Sequence, residues 1–165
     1  MSVPQSPQLK NALWENKAHE GRANAIPNLS RILGVTISPS DFTGRAEFEQ
    51  SMERCRNIKV REQRFPIAKR DQVLSLLENI PSLKSSRKTS LFFARSSDIG
   101  GLRLRSSLSA ETLMSLLDWD GDDVFVFDTS DALVVHVDRG EDWLRPETMS
   151  TSPREMLYIV SIPKG

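Results

Sequence analysis

Apolar side chains recur every three to four residues in the first half of the chain and every second residue in much of the second half, the periods of helix and strand. Leu9, Leu13 and Lys17 stand four apart with Ala12 beside them, which predicts a helix over 8–20 ending near Gly21. Pro27 opens a second, short helix bearing Leu29, Ile32 and Leu33, and Gly34 stops it. Residues 35–44, with Pro39 and Gly44, read as loop. Phe48, Met52 and Cys55 form the stripe of an amphipathic helix over 45–56. Residues 57–66 are ambiguous, but Ile58 and Val60 alternate with polar neighbours, which favours a short exposed strand. Val73, Leu74, Leu76, Leu77 and Ile80 mark a helix from Lys69 to Ile80 that Pro81 ends.

Beyond a polar loop over Ser82–Ser90 the period changes. Leu91 to Ala94 is a short apolar run of strand type, and Leu102 and Leu104 alternate with Arg103 and Arg105 as in a half-buried strand. Ser109 to Leu117 carries the clearest helix signals. Ser109 can cap it, Glu111 sits in the first turn, and Leu108 can staple onto Leu113. Val124–Phe127 and Ala132–Val137 flank the polar turn Asp128–Asp131, the pattern of a β-hairpin. Met156 to Ile162 makes a last strand, and residues 138–155, with Gly140, Pro146 and Pro153, read as a long loop. Helices first and strands later is an α+β pattern. The strands lie too close in sequence for helical crossovers, so the expectation is an antiparallel sheet of four or five strands, mainly from 89–162, packed on helices of the first half. The 165 residues fit one domain, with a helical half 1–80 and a sheet-rich half 89–162.

Charge changes this picture. Twenty-two basic and twenty-two acidic residues cancel overall. Residues 1–117, however, hold 18 Lys and Arg against 11 Asp and Glu, a net +7, whereas residues 118–147 hold 10 acids against Arg139 and Arg145, a net −8. Such a segment has a local potential that the average conceals. No apolar run approaches the ~20 residues of a membrane helix, the first ten residues carry only Val3 and Leu9 as apolar side chains beyond Met1, and the single Cys55 cannot form an intrachain disulfide. A cytoplasmic setting is expected.

Candidate chemistry is sparse. Asp118, Asp120 and Asp122 with Gly121 resemble a calcium loop, but Gly121 falls at position 4 and Thr129 at position 12, so the bend and the bidentate ligand are missing. No metal and no cofactor are expected. An enzymatic alternative is a metal-dependent hydrolase using Asp122, Asp128, Asp138 and His136, with Asp123 as a further carboxylate. Cys55 lies on an apolar stripe and reads as a buried thiol. His19 and His136 have no nucleophile motif beside them, and Gly100–Gly101 lacks the lysine and hydroxyl of a phosphate loop. Arg87, Lys88, Arg95, Arg103 and Arg105 interleave with Phe92 and Phe93, yet the alternation of Leu with Arg fits one buried and one wet strand face better than a nucleic-acid surface. The acidic segment also holds Trp119 and Trp143, and aromatic residues within a charged patch are common anchors of protein interfaces. Asp118, Trp119, Asp120, Asp122, Asp123, Glu141, Asp142 and Trp143 are therefore the expected partner-binding surface. Its carboxylates suit a basic cleft, toward which they would steer association.

Three stretches carry a family resemblance: Leu91–Gly101 (LFFARSSDIGG), Leu108–Leu117 (LSAETLMSLL) and Asp122–Asp128 (DDVFVFD), followed by the hairpin strand ending at Asp138. Together they resemble small bacterial immunity proteins of contact-dependent inhibition and polymorphic toxin systems. The resemblance spans 91–138, under a third of the chain. It implies a cytoplasmic, single-domain α+β protein that binds one cognate toxin domain, often a nuclease, and has no catalysis of its own. A regulatory or adaptor domain is the other non-enzymatic reading.

Overall fold

The computed structural model describes residues 6–85, 88–141 and 155–165. It is an α+β structure: a six-stranded open antiparallel sheet with helices from the first half of the chain. The strands are β1 (Val60–Pro66), β2 (Thr89–Phe93), β3 (Leu102–Leu104), β4 (Asp123–Phe127), β5 (Leu133–Glu141) and β6 (Met156–Pro163), in the spatial order β1-β6-β5-β4-β2-β3. Every neighbouring pair is antiparallel. The strand beyond the expected four or five is β1, the ambiguous stretch after the second helix, which reaches across to pair with β6.

The helices are α1 (Pro7–Leu33), α2 (Arg45–Arg56), α3 (Arg70–Glu78), α4 (Pro81–Ser85), α5 (Ser96–Ile99) and α6 (Ala110–Asp120). Two helices were expected over 8–33, but α1 runs unbroken through both Gly21 and Pro27. Ser6 caps it by accepting from the Leu9 N–H at 3.2 Å, and Gly34 ends it in the left-handed region at φ 67°. Gly21 is there for contact: a Cβ at this position would lie 2.7 Å from Ile99 Cγ2, so only glycine lets α1 close on α5. Pro27 loses one helical hydrogen bond, yet Ala18, Ala25 and Leu29 bury the same helix on both sides of it. Tertiary packing here overrides the local breakers. Similarly, Pro81 both ends the α3 segment and opens α4, within what the sequence suggests is a polar loop.

Alternation along the strands sorts the sheet into two faces. Leu91, Phe93, Val124, Val126, Val135, Val137, Tyr158 and Val160 point to the helical side and join Ala25 and Leu29 of α1, Val73 and Leu77 of α3, and Leu113, Met114, Leu116 and Leu117 of α6 in the main core. On the other face α2 lays Phe48, Met52 and Cys55 over Phe92, Phe127 and Leu133, with Ile58 and Val60 following as the chain crosses to β1. Phe92 meets Phe127 edge-on at 5.3 Å and Phe48 at 5.8 Å. Cys55 is half-buried in this second cluster rather than fully enclosed. Among the described residues no helix is long and apolar enough to cross a membrane.

Candidate functional site

The expected acidic surface does not form one patch. Its described residues gather at one end of the sheet and are divided between the two faces. Helix α6 runs three residues further than the capping signals suggest, to Asp120, with Gly121 closing it at φ 87°. Asp118, Trp119 and Asp120 therefore belong to its last turn and not to a loop. Carboxylates at a helix C-terminus oppose the helix dipole, and cations and N–H groups from neighbouring elements offset that repulsion.

Asp118 receives a two-pronged bond from Arg70 at 3.2 and 3.0 Å and a third from Arg139 at 3.2 Å. Arg70 also donates to the Tyr158 hydroxyl at 3.2 Å. This carboxylate is thus held on the helical side of the sheet between two guanidinium groups. The Asp120 side chain has no solvent exposure. It accepts from the N–H groups of Ala94, Arg95 and Asp123 at 3.4, 3.3 and 3.2 Å, which ties the turn after β2 to the start of β4. Burial raises its pKa against those three bonds. As a partner contact Asp120 is withdrawn: its role is internal. Trp119 is half-buried, edge-on to Phe93 at 5.4 Å, with the Arg95 guanidinium 4.7 Å above its ring. It borders a cleft of about 390 Å³ between α1 and α5 that also meets Asn24, Asn28 and Asp98.

The other face of the sheet gathers a different set. Asp123 and Asp138 are directly opposed in the β4–β5 register, and Phe125 faces His136 one pair along. The His136 imidazole stacks flat on Phe125, centroids 3.8 Å apart at 6°, and its Nε2 lies 3.3 Å from Asp123 Oδ2. Burial pushes the Asp138 pKa up; His136 pulls it down, and the Asp123 and Asp122 carboxylates push it up further. Asp122 is exposed at the helix-to-strand turn, where its carbonyl accepts from the Arg139 N–H at 2.9 Å. Ser161 and Ile159 stand beside His136 and Asp138 on β6. Helix α2 covers the hairpin end of this face, and Asp122, Asp123, Asp138 and His136 lie toward its other end, with the His136 and Asp123 side chains 21% and 24% exposed.

Asp128 is at the far end of β4. It organises the hairpin by accepting from the N–H groups of Ser130 and Ala132 at 2.8 and 3.0 Å and from the Ser130 hydroxyl at 2.7 Å. These bonds outweigh burial and lower its pKa. Asp131 takes the left-handed conformation at φ 59° and pairs with Arg54 at 3.3 Å. The hydrolase alternative needs Asp128 beside Asp122 and Asp138, and the topology separates them by the length of a strand. Among the described residues no group of three or more His, Cys, Asp or Glu is placed to hold a metal ion. Glu141 is exposed at the end of β5, on the opposite face from Asp138. Asp142 and Trp143 lie outside the described residues.

Sequence reasoning places His136 in the hydrolase alternative and does not foresee its stack on Phe125. That stack depends on cross-strand register, which the bulge between Val126 and Phe127 shifts by one residue. It also missed Arg22 of α1, whose buried guanidinium donates to the carbonyls of Ile99 and Thr43 at 2.8 and 3.0 Å and to Glu15 at 3.1 Å, between the rings of Trp14 and Phe42. The glycines beside this arginine are steric necessities. A Cβ on Gly100, at φ 83°, would fall 2.1 Å from the Thr43 carbonyl oxygen, and one on Gly101 would fall 2.4 Å from the Phe92 ring. Comparison with protein-family models, with curated proteins and with solved structures finds no match to this chain.

Proposed function

We propose that this is a non-enzymatic protein that binds and neutralises a cognate toxin domain in the cytoplasm, a nuclease with a basic active-site cleft, by presenting carboxylates to that cleft. The supporting observation is the crowding of Asp122, Asp123 and Asp138 at one end of a sheet face. Like charges directly opposed across two strands repel, and an approaching Lys or Arg relieves that repulsion at the moment of contact. Steering by such a face raises the association rate and is screened by salt. Carboxylates spaced along strand ends occupy positions that phosphates would take in a nuclease groove. The flat Phe125–His136 stack supplies a rigid, half-apolar surface beside them.

The test is co-expression with the toxin domain encoded directly upstream of this gene. The wild-type protein should restore growth and bind the domain, and Asp122→Lys combined with Asp123→Lys should slow association at least tenfold while leaving the circular dichroism spectrum unchanged. Undiminished binding by the doubly reversed protein would exclude this face as the contact, and failure of the wild type to bind or protect would exclude the immunity reading.

A further inference from the structure

The two edges of the sheet are treated differently. The outer side of β3 is occupied: Phe42 bridges to Leu102, the Thr43 N–H donates to the Gly101 carbonyl at 2.8 Å, and the Gly101 N–H donates to the Thr43 hydroxyl at 2.8 Å. Among the described residues no strand lies beyond β1. An open edge is a template for a further strand unless its sequence opposes pairing. We propose that the β1 edge is the interface through which two copies of this chain form a symmetric dimer with one continuous antiparallel sheet.

The backbone fixes which groups such a dimer would use. The Lys164 N–H donates to the Lys59 carbonyl at 2.9 Å, so Lys59 and Lys164 are a hydrogen-bonded pair of the β1–β6 ladder. Such pairs alternate with non-bonded ones. Arg61, Gln63 and Phe65 therefore turn their N–H and C=O groups toward β6, and Val60, Glu62, Arg64 and Pro66 turn theirs outward. Proline has no N–H to offer, and Pro66 sits at an outward position, where sheet prolines are tolerated.

The side chains then select one register. With the two-fold axis at Gln63, Glu62 of each copy faces Arg64 of the other, and these residues exchange both backbone hydrogen bonds. Val60 faces Pro66 and donates to its carbonyl, and Arg61 faces Phe65 on the helical side. Moving the axis to Glu62 would set two carboxylates against each other, and moving it to Arg64 would set two guanidinium groups against each other, each arrangement destabilising. Glu62 and Arg64 already share one side of the strand, 3.5 Å apart, with half and a third of their side chains exposed. The edge is thus self-complementary in charge, in backbone polarity and in the place of its proline. One strand per copy makes a small interface, so the dimer should dissociate in about the micromolar range.

Sedimentation of the full chain over rising concentration should show a species of twice the 18.6 kDa mass. Glu62→Arg alone and Arg64→Glu alone should each weaken it about tenfold. The double variant Glu62→Arg/Arg64→Glu restores opposite charges across the axis and should recover the dimer. In a Cys55→Ser background, Gln63→Cys should cross-link two chains under mild oxidation, because only residue 63 faces itself, whereas Arg61→Cys should not. A chain that stays monomeric at every concentration overturns the proposal. So do single reversals without effect, and equal cross-linking at 61 and 63. Should a reversal unfold the protein, the paired cysteine variants decide alone.

Discussion

The carboxylate of Asp120 accepts three backbone N–H groups and sees no solvent. Asp120→Ala leaves those donors unmatched, and chemical denaturation should show a loss of about 2–3 kcal/mol. Asp118→Ala should cost about 1 kcal/mol or less, because that residue is half exposed. Two glycines make a second contrast. Gly34 has positive φ with nothing within 4 Å of a new Cβ, whereas Gly100 has positive φ and a carbonyl oxygen in the way. Gly34→Ala should lower stability by about 1 kcal/mol, and Gly100→Ala should displace the α5 turn and cost several times more, read by the shift in denaturation midpoint. Burial pushes the Cys55 thiol up, so a thiol reagent should modify it slowly in the native protein and rapidly in denaturant. At this scale the cap Ser109 and the stop Gly34 are legible in the sequence, whereas the separate roles of Asp118 and Asp120 are not. An Asp in a run of Asp looks like any other until the end of the helix decides which way it points.

Among the elements, α2, α6, the β4–β5 hairpin and β6 are legible because period, caps and turn residues agree within each. In the hairpin a bulge between Val126 and Phe127 shifts by one residue the register next to the turn, and the shifted register creates the Asp123–Asp138 opposition. That opposition has a pH signature. The folded-state pKa of Asp138 is raised above its unfolded value, so its ionisation destabilises the fold as pH rises from about 4 upward. Asp138→Asn should therefore be more stable than wild type at pH 7 and lose that advantage as pH falls through the carboxylate range. Asp128 works in the opposite direction: its pKa is lowered, so Asp128→Ala should be most damaging at neutral pH and least damaging in acid. Thermal melts of both variants from pH 3 to 8 measure the two slopes. α1 was misread at this scale because Gly21 and Pro27 are local breakers. What keeps the helix continuous is the packing of Ala18, Ala25 and Leu29 and the approach of Ile99, none of which is local in sequence.

For the whole molecule, a charge count along the chain identified the acidic segment but not its division. Asp118 is held by arginines from α3 and β5, and Asp131 by one from α2, so these two of the segment's ten acids are paired within the fold. The set around His136 lies at one end of the opposite sheet face from Asp118. In the proposed complex with a toxin domain, wild-type association should slow as salt rises, and the Asp122→Lys/Asp123→Lys protein should lose most of that salt dependence; stopped-flow mixing at several ionic strengths measures both. Reversal of Arg103, which is exposed on β3 and paired with Glu47, should leave association unchanged.

The position of β6 between β5 and β1 also constrains how the chain is made. Strand β1 leaves the ribosome early, with alternating charge and an apolar residue at each end, and its neighbour in the sheet is the strand made last of the six. Helices and the β4–β5 hairpin can form as they emerge, but β1 must wait, unpaired, until β6 is synthesised and inserts along its whole length. Closing so long a loop is slow, and during that interval the Glu and Arg residues that mark the edge keep the waiting strand in water. Assembly of the finished sheet thus waits on β6, and a nascent chain arrested after β5 should still expose β1 to protease.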